Sequence, residues 1–433
     1  MRPTLLAPWL LLVSLSGLAA DHRAGLGVRD ITPSQASLEA GRTYMGGYGT
    51  WKQRGPASGI HDPLSARAFC IADEVEPLCI VIVDSLGLTG ALIARIAAAA
   101  AAQAPITPQR ILVGATHTHA APDLLGLWGG APQAYADLLV RESAGAISDA
   151  LAALQPADLY YAVGAAPAHN RRGWGYTDED LVVLQARSPG GERIIGSLIN
   201  FAAHPTVSVS ANPDLSSDFV HYLRAVFEHH TQAAAVYVNG AIGDVIPGRR
   251  GDDYWAEAKA CGALLADAAV QAMDSAAPVG PGLVLVSEPL MLDIDNFVFR
   301  LAQWLGVLDD HGVSGPPWSR RVSTTVSYLR LGDQVQGVAV PGEALTRLGL
   351  DIKAQLAAPA RLFLGQTGGS LGYLISDDEW RSGRNGDYEE SVSLGKQAGP
   401  AVVAAVTALV RADLERRAGT VGQQEGPTSS TGD

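Results

Sequence analysis

The run Ile111-Leu112-Val113-Gly114-Ala115-Thr116-His117-Thr118-His119 joins an apolar segment to two histidines. The apolar part predicts a buried strand over residues 110–114. In an extended chain, residues two positions apart face the same side, so His117 and His119 are expected to project together beyond the strand. Ligands of α/β proteins collect outside the carboxyl ends of strands. The end of this strand is therefore a candidate functional site.

Strand and helix patterns alternate on both sides of this run. Strands are predicted at residues 78–84, 110–114, 159–164, 180–186, 194–202, 233–239, 282–292, 322–331 and 335–340, and helices at 92–103, 134–154, 219–229, 255–273, 345–356 and 398–414. The alternation predicts an α/β fold whose core is a mixed, partly parallel sheet with flanking helices. A metal site is expected at the carboxyl ends of its strands.

Two further predicted strands are also followed by residues that can bind a metal or transfer a proton. His204 follows the strand at residues 194–202, and Asp244 follows the strand at 233–239. Neutral imidazole is a good zinc ligand, and a catalytic zinc usually has three protein ligands and one open position. A lone histidine is more often structural, but three histidines at strand ends favour a metal site.

Composition limits the kind of partner that the protein can bind. The chain has 433 residues, of which 47% are hydrophobic and 17% charged, enough apolar residues for a large folded core. Its net charge is -13. This acidic balance argues against nucleic acid, which requires a Lys/Arg surface, and gives no bulk attraction to anionic lipid. A small-molecule substrate is expected instead.

The two ends of the chain differ in composition from its centre. Residues 1–20 have a charged start, an apolar run and small residues before Asp21, which predicts a secretory signal peptide and a secreted or periplasmic protein. A buried first strand or helix is the alternative. The hydrolase domain is predicted over residues 21–418 and a disordered tail over 419–433. Cys70 and Cys79 are either one disulfide, which export would permit, or two buried thiols.

Residues 297–308 carry an apolar stripe at helical spacing. One interpretation is an apolar lid or rim beside an apolar substrate, with peripheral contact to a membrane. The other is an ordinary core helix. The glycine-rich loop at residues 45–49 could bring backbone close to a ligand, but it lacks the strand and helix that flank a nucleotide-binding loop.

Taken together, short motifs in a fixed order give the chain a resemblance to a known family. They are Val28-Arg29-Asp30-Ile31-Thr32-Pro33, His61-Asp62-Pro63-Leu64-Ser65-Ala66-Arg67-Ala68-Phe69, Thr116-His117-Thr118-His119, Asn170-Arg171, Asn200-Phe201-Ala202-Ala203-His204-Pro205-Thr206, Asn239-Gly240-Ala241-Ile242-Gly243-Asp244-Val245-Ile246-Pro247, Val340-Pro341-Gly342-Glu343 and Tyr373-Leu374-Ile375-Ser376-Asp377-Asp378-Glu379-Trp380 followed by Tyr388-Glu389. In this order they resemble the catalytic domain of neutral ceramidases, zinc-dependent amidases that split ceramide. The resemblance spans about residues 25–415 and does not include the family's C-terminal immunoglobulin-like domain.

The resemblance implies a role for each matching residue. The implied zinc ligands are His117, His204, Glu343 and Tyr373. His119 and Arg171 would lie beside the metal and orient the substrate or stabilise an oxyanion. His119 or Asp244 would take the proton of an attacking water.

One position departs from the family pattern. The family has a serine, the proposed nucleophile, immediately before the proline of the loop, and this chain has Ile246 there. We therefore expect amide hydrolysis by metal-activated water, on a lipid-like substrate. Two alternatives stay open: a lipid- or glycan-binding protein without activity, or a hydrolase of another bond such as an ester or glycoside.

Overall fold

The computed structural model describes residues 21–49, 54–247, 252–381 and 388–424. The predicted signal peptide at residues 1–20 and residues 425–433 of the predicted tail lie outside the described residues. The last helix continues to Gln424, so it enters the segment predicted as a tail from residue 419.

The described strands and helices follow the predicted alternation. The strands are β1 (His22–Asp30), β2 (Gly59–Ile60), β3 (Ser65–Ala72), β4 (Pro77–Val83), β5 (Ile111–Ala115), β6 (Gln155–Ala165), β7 (His169–Asn170), β8 (Asp180–Arg187), β9 (Ile194–Phe201), β10 (Asp214–Leu215), β11 (Ala235–Asn239), β12 (Val245–Ile246), β13 (Ala277–Pro278), β14 (Leu283–Asp293), β15 (Val313–Ser314), β16 (Arg321–Leu331), β17 (Val335–Ala339), β18 (Glu343–Ala344), β19 (Ala360–Leu364) and β20 (Tyr373–Leu374). The helices are α1 (Gln35–Glu39), α2 (Gly90–Gln103), α3 (Gln133–Ala152), α4 (Phe219–Thr231), α5 (Tyr254–Ala272), α6 (Phe297–Trp304), α7 (Thr346–Lys353), α8 (Tyr388–Ser391) and α9 (Ala398–Gln424).

The larger sheet has the strand order β11-β9-β8-β6-β1-β3-β4-β5, with β13 added beside β6. The pairs β4/β5 and β9/β11 are parallel, whereas β1/β3, β3/β4, β6/β8 and β8/β9 are antiparallel. This confirms the predicted mixed, partly parallel sheet. Strand β4 is buried along nearly its whole length, which explains why Leu78-Cys79-Ile80-Val81-Ile82-Val83 is continuously apolar instead of alternating.

A second sheet has the order β14-β16-β17-β19, with β15 beside β16 and the pair β17/β19 parallel. It joins the first sheet through the segment that follows β19. The Gly365 amide donates to the Asn239 carbonyl at the end of β11 (2.8 Å), and the Gly368 amide donates to the Val113 carbonyl in β5 (3.0 Å). Strands β11 and β5, which stand at opposite ends of the strand order in the first sheet, are thereby held beside one another.

Helices cover the outer faces of the first sheet. Helix α3 packs on β1 and β3, and its buried positions Tyr135, Leu139, Ala146 and Ala150 recur at helical spacing. Helices α4 and α5 pack against each other over the half that contains β8, β9 and β11. Strand β19 was absent from the sequence prediction, because four apolar residues interrupted by Arg361 are too short a pattern to distinguish a strand from a loop.

Cys70 and Cys79 form a disulfide between β3 and β4. The two residues are directly opposite each other in the antiparallel register, with their Cα atoms 4.1 Å apart. The structure therefore favours the disulfide over two buried thiols.

Among the described residues, no helix is both long and apolar enough to span a bilayer.

Candidate active site

Three buried histidines meet where β5 and β9 end. The Nε2 atom of His119 lies 3.4 Å from Nε2 of His117 and 3.0 Å from Nε2 of His204. One ligand atom from each ring lies within 4.8 Å of the others, so the three residues could hold a metal ion. The convergence that the sequence predicted for these histidines is present in the structure.

The reason for the convergence of His117 and His119 differs from the predicted one. The strand ends at Ala115, and His117 has φ +61°, in the left-handed region that non-glycine residues seldom adopt. The two rings therefore do not meet through the alternation of an extended strand. A turn after β5 brings them together, and the Asn239 side chain fixes that turn by donating to the Thr116 carbonyl (2.7 Å).

Backbone carbonyls set the ring orientation of His117 and His204. Nδ1 of His117 lies 2.5 Å from the Leu86 carbonyl, and Nδ1 of His204 lies 3.1 Å from the Ile242 carbonyl. A carbonyl oxygen only accepts hydrogen bonds, so each Nδ1 carries a proton and each neutral ring keeps its Nε2 lone pair for the shared space. Metal-binding histidines usually have this arrangement. Burial, followed by the neighbouring His117, lowers the pKa of His204 to about 3.

His119 packs against the glycine-rich loop that precedes it in sequence. A Cβ atom at Gly47 would lie 2.3 Å from Nδ1 of His119, so only glycine allows this approach, and Gly47 itself has φ +86°. The Tyr48 ring meets the imidazole edge-on, with a centroid distance of 4.6 Å. Burial lowers the pKa of His119 well below its ordinary value, and His204 and His117 lower it further. The loop thus admits the His119 side chain close to its backbone, where the sequence suggested a ligand.

Glu343 and Tyr373 come from two short strands, β18 and β20, which pair in parallel and place these two residues opposite each other. Oε2 of Glu343 lies 3.4 Å from Nε2 of His117 and 3.8 Å from Nε2 of His204. Burial opposes the charge on Glu343, but His117, His204 and Tyr373 hold its pKa at about 2. Burial and Glu343 raise the pKa of Tyr373 well above its ordinary value.

Arg171 lies on the other side of Tyr373. Its Nη2 atom donates to the Tyr373 hydroxyl (3.0 Å) and to the Gly243 carbonyl (2.8 Å), and it forms an ion pair with Glu389 (2.8 Å). Burial opposes the charge on Arg171, but Tyr373, Glu389 and Glu343 raise its pKa above the ordinary value. The guanidinium is therefore a permanent positive charge beside the histidine cluster.

Asp244 is placed differently from the proton-accepting role expected of it. Its Oδ1 accepts hydrogen bonds from the amide and the hydroxyl of Thr346, both at 2.7 Å, and its Oδ2 accepts from the Asn170 amide at 2.6 Å. The side chain is fully buried among these partners. Through these bonds Asp244 connects Asn170 with Thr346 at the start of α7, and its role as a proton acceptor stays a prediction. It also holds Arg171, whose amide donates to the Asp244 carbonyl at 2.7 Å.

The histidines lie between two compartments. The first is an apolar cavity lined by His117, Glu343 and a set of large apolar side chains that includes Leu125, Trp128, Phe299, Leu308, Val322 and Leu394. The second is lined by polar and aromatic residues that include Arg171, His204, Thr206, Ser210 and Tyr388, together with Ile246. His119, Tyr48, Tyr373 and Tyr388 border both compartments.

The donor set fits a divalent metal. Two ligands about 2.0–2.1 Å from a tetrahedral zinc ion lie about 3.4 Å apart, which agrees with the 3.4 Å between Nε2 of His117 and Oε2 of Glu343. Oε2 of Glu343 is buried without a hydrogen-bond donor, although it faces two imidazole nitrogens. This oxygen therefore has a lone pair available for a cation. His119 borders the same space, with its Nε2 atom 3.0 Å from Nε2 of His204.

Fold and site together define a mixed α/β protein with a buried histidine cluster that could hold a metal ion. The family model for the N-terminal domain of neutral/alkaline non-lysosomal ceramidases matches residues 22–282, more than half of the chain. The chain therefore belongs to the neutral/alkaline non-lysosomal ceramidase family, whose members are hydrolases.

Comparison with solved structures agrees with this assignment at the level of the fold. Neutral ceramidase from Pseudomonas aeruginosa superposes with a TM-score of 0.77 at 21% identity, covering 92% of this chain and 75% of the ceramidase. A ceramidase complexed with C2 superposes with a TM-score of 0.76 at 20% identity, covering 92% and 76% respectively. No curated protein sequence matches significantly.

Two contributors to the site were not identified from the sequence. Tyr48 and Tyr388 border both compartments, but they lie far from the strand-end motifs along the chain. The glycines around Tyr48 were a signal for close approach to that loop. Tyr388 was quoted only as part of a family motif, because an isolated tyrosine in a polar segment has no pattern that predicts a pocket.

Proposed function

We propose that this protein is an exported zinc-dependent hydrolase that cleaves N-acyl amides carrying a long apolar chain. The observation that carries the proposal is the position of the histidine cluster, at the junction of an apolar cavity and a polar compartment. An amide with one apolar and one polar arm fits this arrangement with its carbonyl beside the histidines. The ceramidase complexed with C2 supports a small-molecule ligand for this fold.

His117, His204 and Glu343 would hold the zinc ion, with Tyr373 as the implied fourth ligand. When bound, zinc lowers the pKa of water and polarises a carbonyl group. The Nδ1 hydrogen bonds to Leu86 and Ile242 hold the two imidazoles in the protonation state that a metal requires.

His119 and Arg171 would act on the reacting atoms. Burial lowers the pKa of His119, which favours the neutral imidazole, so its Nε2 can accept a hydrogen bond from an attacking water; proton transfer to it would rely on a bound metal making that water more acidic. Arg171 lines the polar compartment as a buried cation and can bind a substrate oxygen as negative charge develops there. Ile246 borders the same compartment and has no hydroxyl, so we assign the attack to water and not to a side chain.

Export is part of the proposal. The signal-like segment at residues 1–20 supports it, and so does the disulfide between Cys70 and Cys79, because disulfides persist in oxidising compartments. Detection of the mature protein in the periplasm or medium, with an N-terminus near residue 21, is the expected result. Full-length protein retained in the cytoplasm would contradict it.

A second candidate function is a binding protein without turnover, and Ile246 is the observation that favours it. In that case the cavity would retain a lipid amide without cleaving it. Zinc content and hydrolysis, measured on the same preparation, separate the two functions. Zinc with ligand retention and no hydrolysis would favour the binding protein.

The experiment uses the purified protein, analysed for metal and incubated with N-acyl amides of increasing chain length. We expect about one zinc per chain, hydrolysis that a chelator abolishes and added zinc restores, and a preference for longer chains. His117→Ala should lose both metal and activity. His229→Ala, at an exposed histidine on α4, is the matched control and should retain both. A wild-type protein that takes up no zinc would refute the metal proposal.

A further inference from the structure

The outer face of α6 exposes large apolar side chains to solvent. Phe297 is 73% exposed, Trp304 69% and Leu305 60%, and Leu301 is 43% exposed on the same helix and its end. Trp318, in the loop after β15, is 77% exposed. We call these five residues the apolar rim. Single exposed apolar residues are ordinary, but a group of this size on a short helix marks an interaction surface.

The opposite face of the same helix belongs to the substrate cavity. Phe299 is buried and lines the cavity, as does Leu308 just after the helix, and Ala302 is fully buried. An ordinary surface helix has one apolar face against the core and one polar face towards water. Helix α6 is apolar on both faces, so the exposed face requires a partner other than water, and the cavity lies directly behind it.

The loop that carries Trp318 is attached to the same wall of the cavity. The Ile294 amide, just before α6, donates to the Arg320 carbonyl (2.9 Å). Val313 pairs with Val322 across β15 and β16, and Ile294, Val313 and Val322 all line the cavity. Trp318 and α6 therefore both follow from segments of one cavity wall, although thirteen or more positions separate them in sequence.

The chemistry of this surface favours an uncharged lipid interface as its partner. Tryptophan and phenylalanine are the side chains that settle at the boundary between headgroups and acyl chains. Two of the cations next to the rim are paired, Arg300 with Asp295 (3.3 Å) and Arg321 with Asp293 (3.8 Å). The whole chain carries a net charge of -13, which disfavours anionic lipid.

We propose that the apolar rim is a docking surface for a membrane of zwitterionic lipid, and that docking brings the apolar cavity next to the lipid phase. A lipid amide would then reach the cavity without crossing bulk water. The inference extends the proposed function by naming the surface from which the substrate is taken. Docking does not require hydrolysis, so an experiment can refute the docking surface and the proposed function independently of each other.

The test measures partition of the full chain onto phosphatidylcholine vesicles by co-sedimentation. The rim variant combines Phe297→Ser, Trp304→Ser and Trp318→Ser. The matched control combines Val75→Ser, Leu264→Ser and Leu414→Ser, three exposed apolar residues on other elements. We expect at least a tenfold loss of partition for the rim variant, no loss for the control, and little change between low and high salt.

A water-soluble short-chain amide separates docking from catalysis. The rim variant should hydrolyse it like the wild type and lose activity only on vesicle-borne substrate. Vesicle binding without any hydrolysis would overturn the proposed function and leave docking intact.

Absence of wild-type partition, or equal losses in rim and control variants, would overturn docking. A dimer in sedimentation velocity that the rim variant converts to monomer, without vesicle binding, would instead identify a second copy of the chain as the partner.

Discussion

Replacing Glu343 with Gln would remove a buried negative charge from the histidine cluster while preserving the size of the side chain. Oε2 of Glu343 lies 3.4 Å from His117 and is buried without a hydrogen-bond donor. Comparing the zinc-free variant with the zinc-free wild type gives the effect of the substitution on the protein alone, without the metal. With zinc, the variant should bind much more weakly.

The size of the effect follows from linkage. Partners of metal ligands typically change metal affinity 10–100-fold, so loss of a charged ligand should reach at least about 100-fold. At saturating zinc this removes about 2.7 kcal/mol of stabilisation. For a chain of 433 residues the unfolding entropy is about 0.9 kcal/mol/K, so the zinc-dependent rise in Tm should shrink by about 3 °C.

The assay is thermal unfolding with chelator and with a fixed excess of free zinc. Asp413→Asn is the matched control, because Asp413 is a buried carboxylate bound to Tyr328 (3.0 Å) and Arg330 (2.8 Å), outside the cluster. It should lower Tm in both conditions and leave the zinc-dependent rise unchanged. An undiminished rise in Glu343→Gln would refute the assignment of Glu343 as a ligand.

Three further predictions concern Ile246 at the family's serine position, Tyr373 as a zinc ligand, and the buried ion pair of Arg224 and Asp84. Ile246→Ser should introduce or raise ceramide cleavage, measured as released fatty acid, since Ile246 borders the compartment at the family's serine position; unchanged cleavage would mean that more than the hydroxyl differs. Tyr373→Phe should weaken zinc binding less than Glu343→Gln in calorimetric titration, because it removes a neutral donor and not a charge; a larger loss would make Tyr373 the stronger ligand. Arg224→Met should destabilise the fold by about 3–5 kcal/mol at pH 7, because it leaves buried Asp84 without the partner that lowers its pKa. The pKa of Asp84 would then be raised, so the destabilisation should be smaller at pH 5 than at pH 8 in denaturant titrations; the opposite trend would contradict this account.

Much of the fold could be predicted because its core strands are long apolar runs. The continuous apolar run of β4 and the helical spacing of the buried residues in α3 are both visible directly in the sequence. The two-residue strands β18 and β20 could not be predicted, because their pairing depends on segments thirty positions apart. The family motif named Glu343 and Tyr373, but local pattern alone gave neither residue a role.

The sequence by itself identified the candidate side chains, because strand ends and histidine spacing are local features and the family motifs occur in a fixed order along the chain. It also placed Ile246 at the position of the family serine. Only the tertiary structure decided how these groups meet. His117 turns towards His119 through a left-handed backbone, Asp244 is directed to Thr346 and Asn170, and α6 is apolar on both faces. These outcomes depend on hydrogen bonds and packing between distant segments, and the free energy of such contacts is not encoded in any single stretch of the chain.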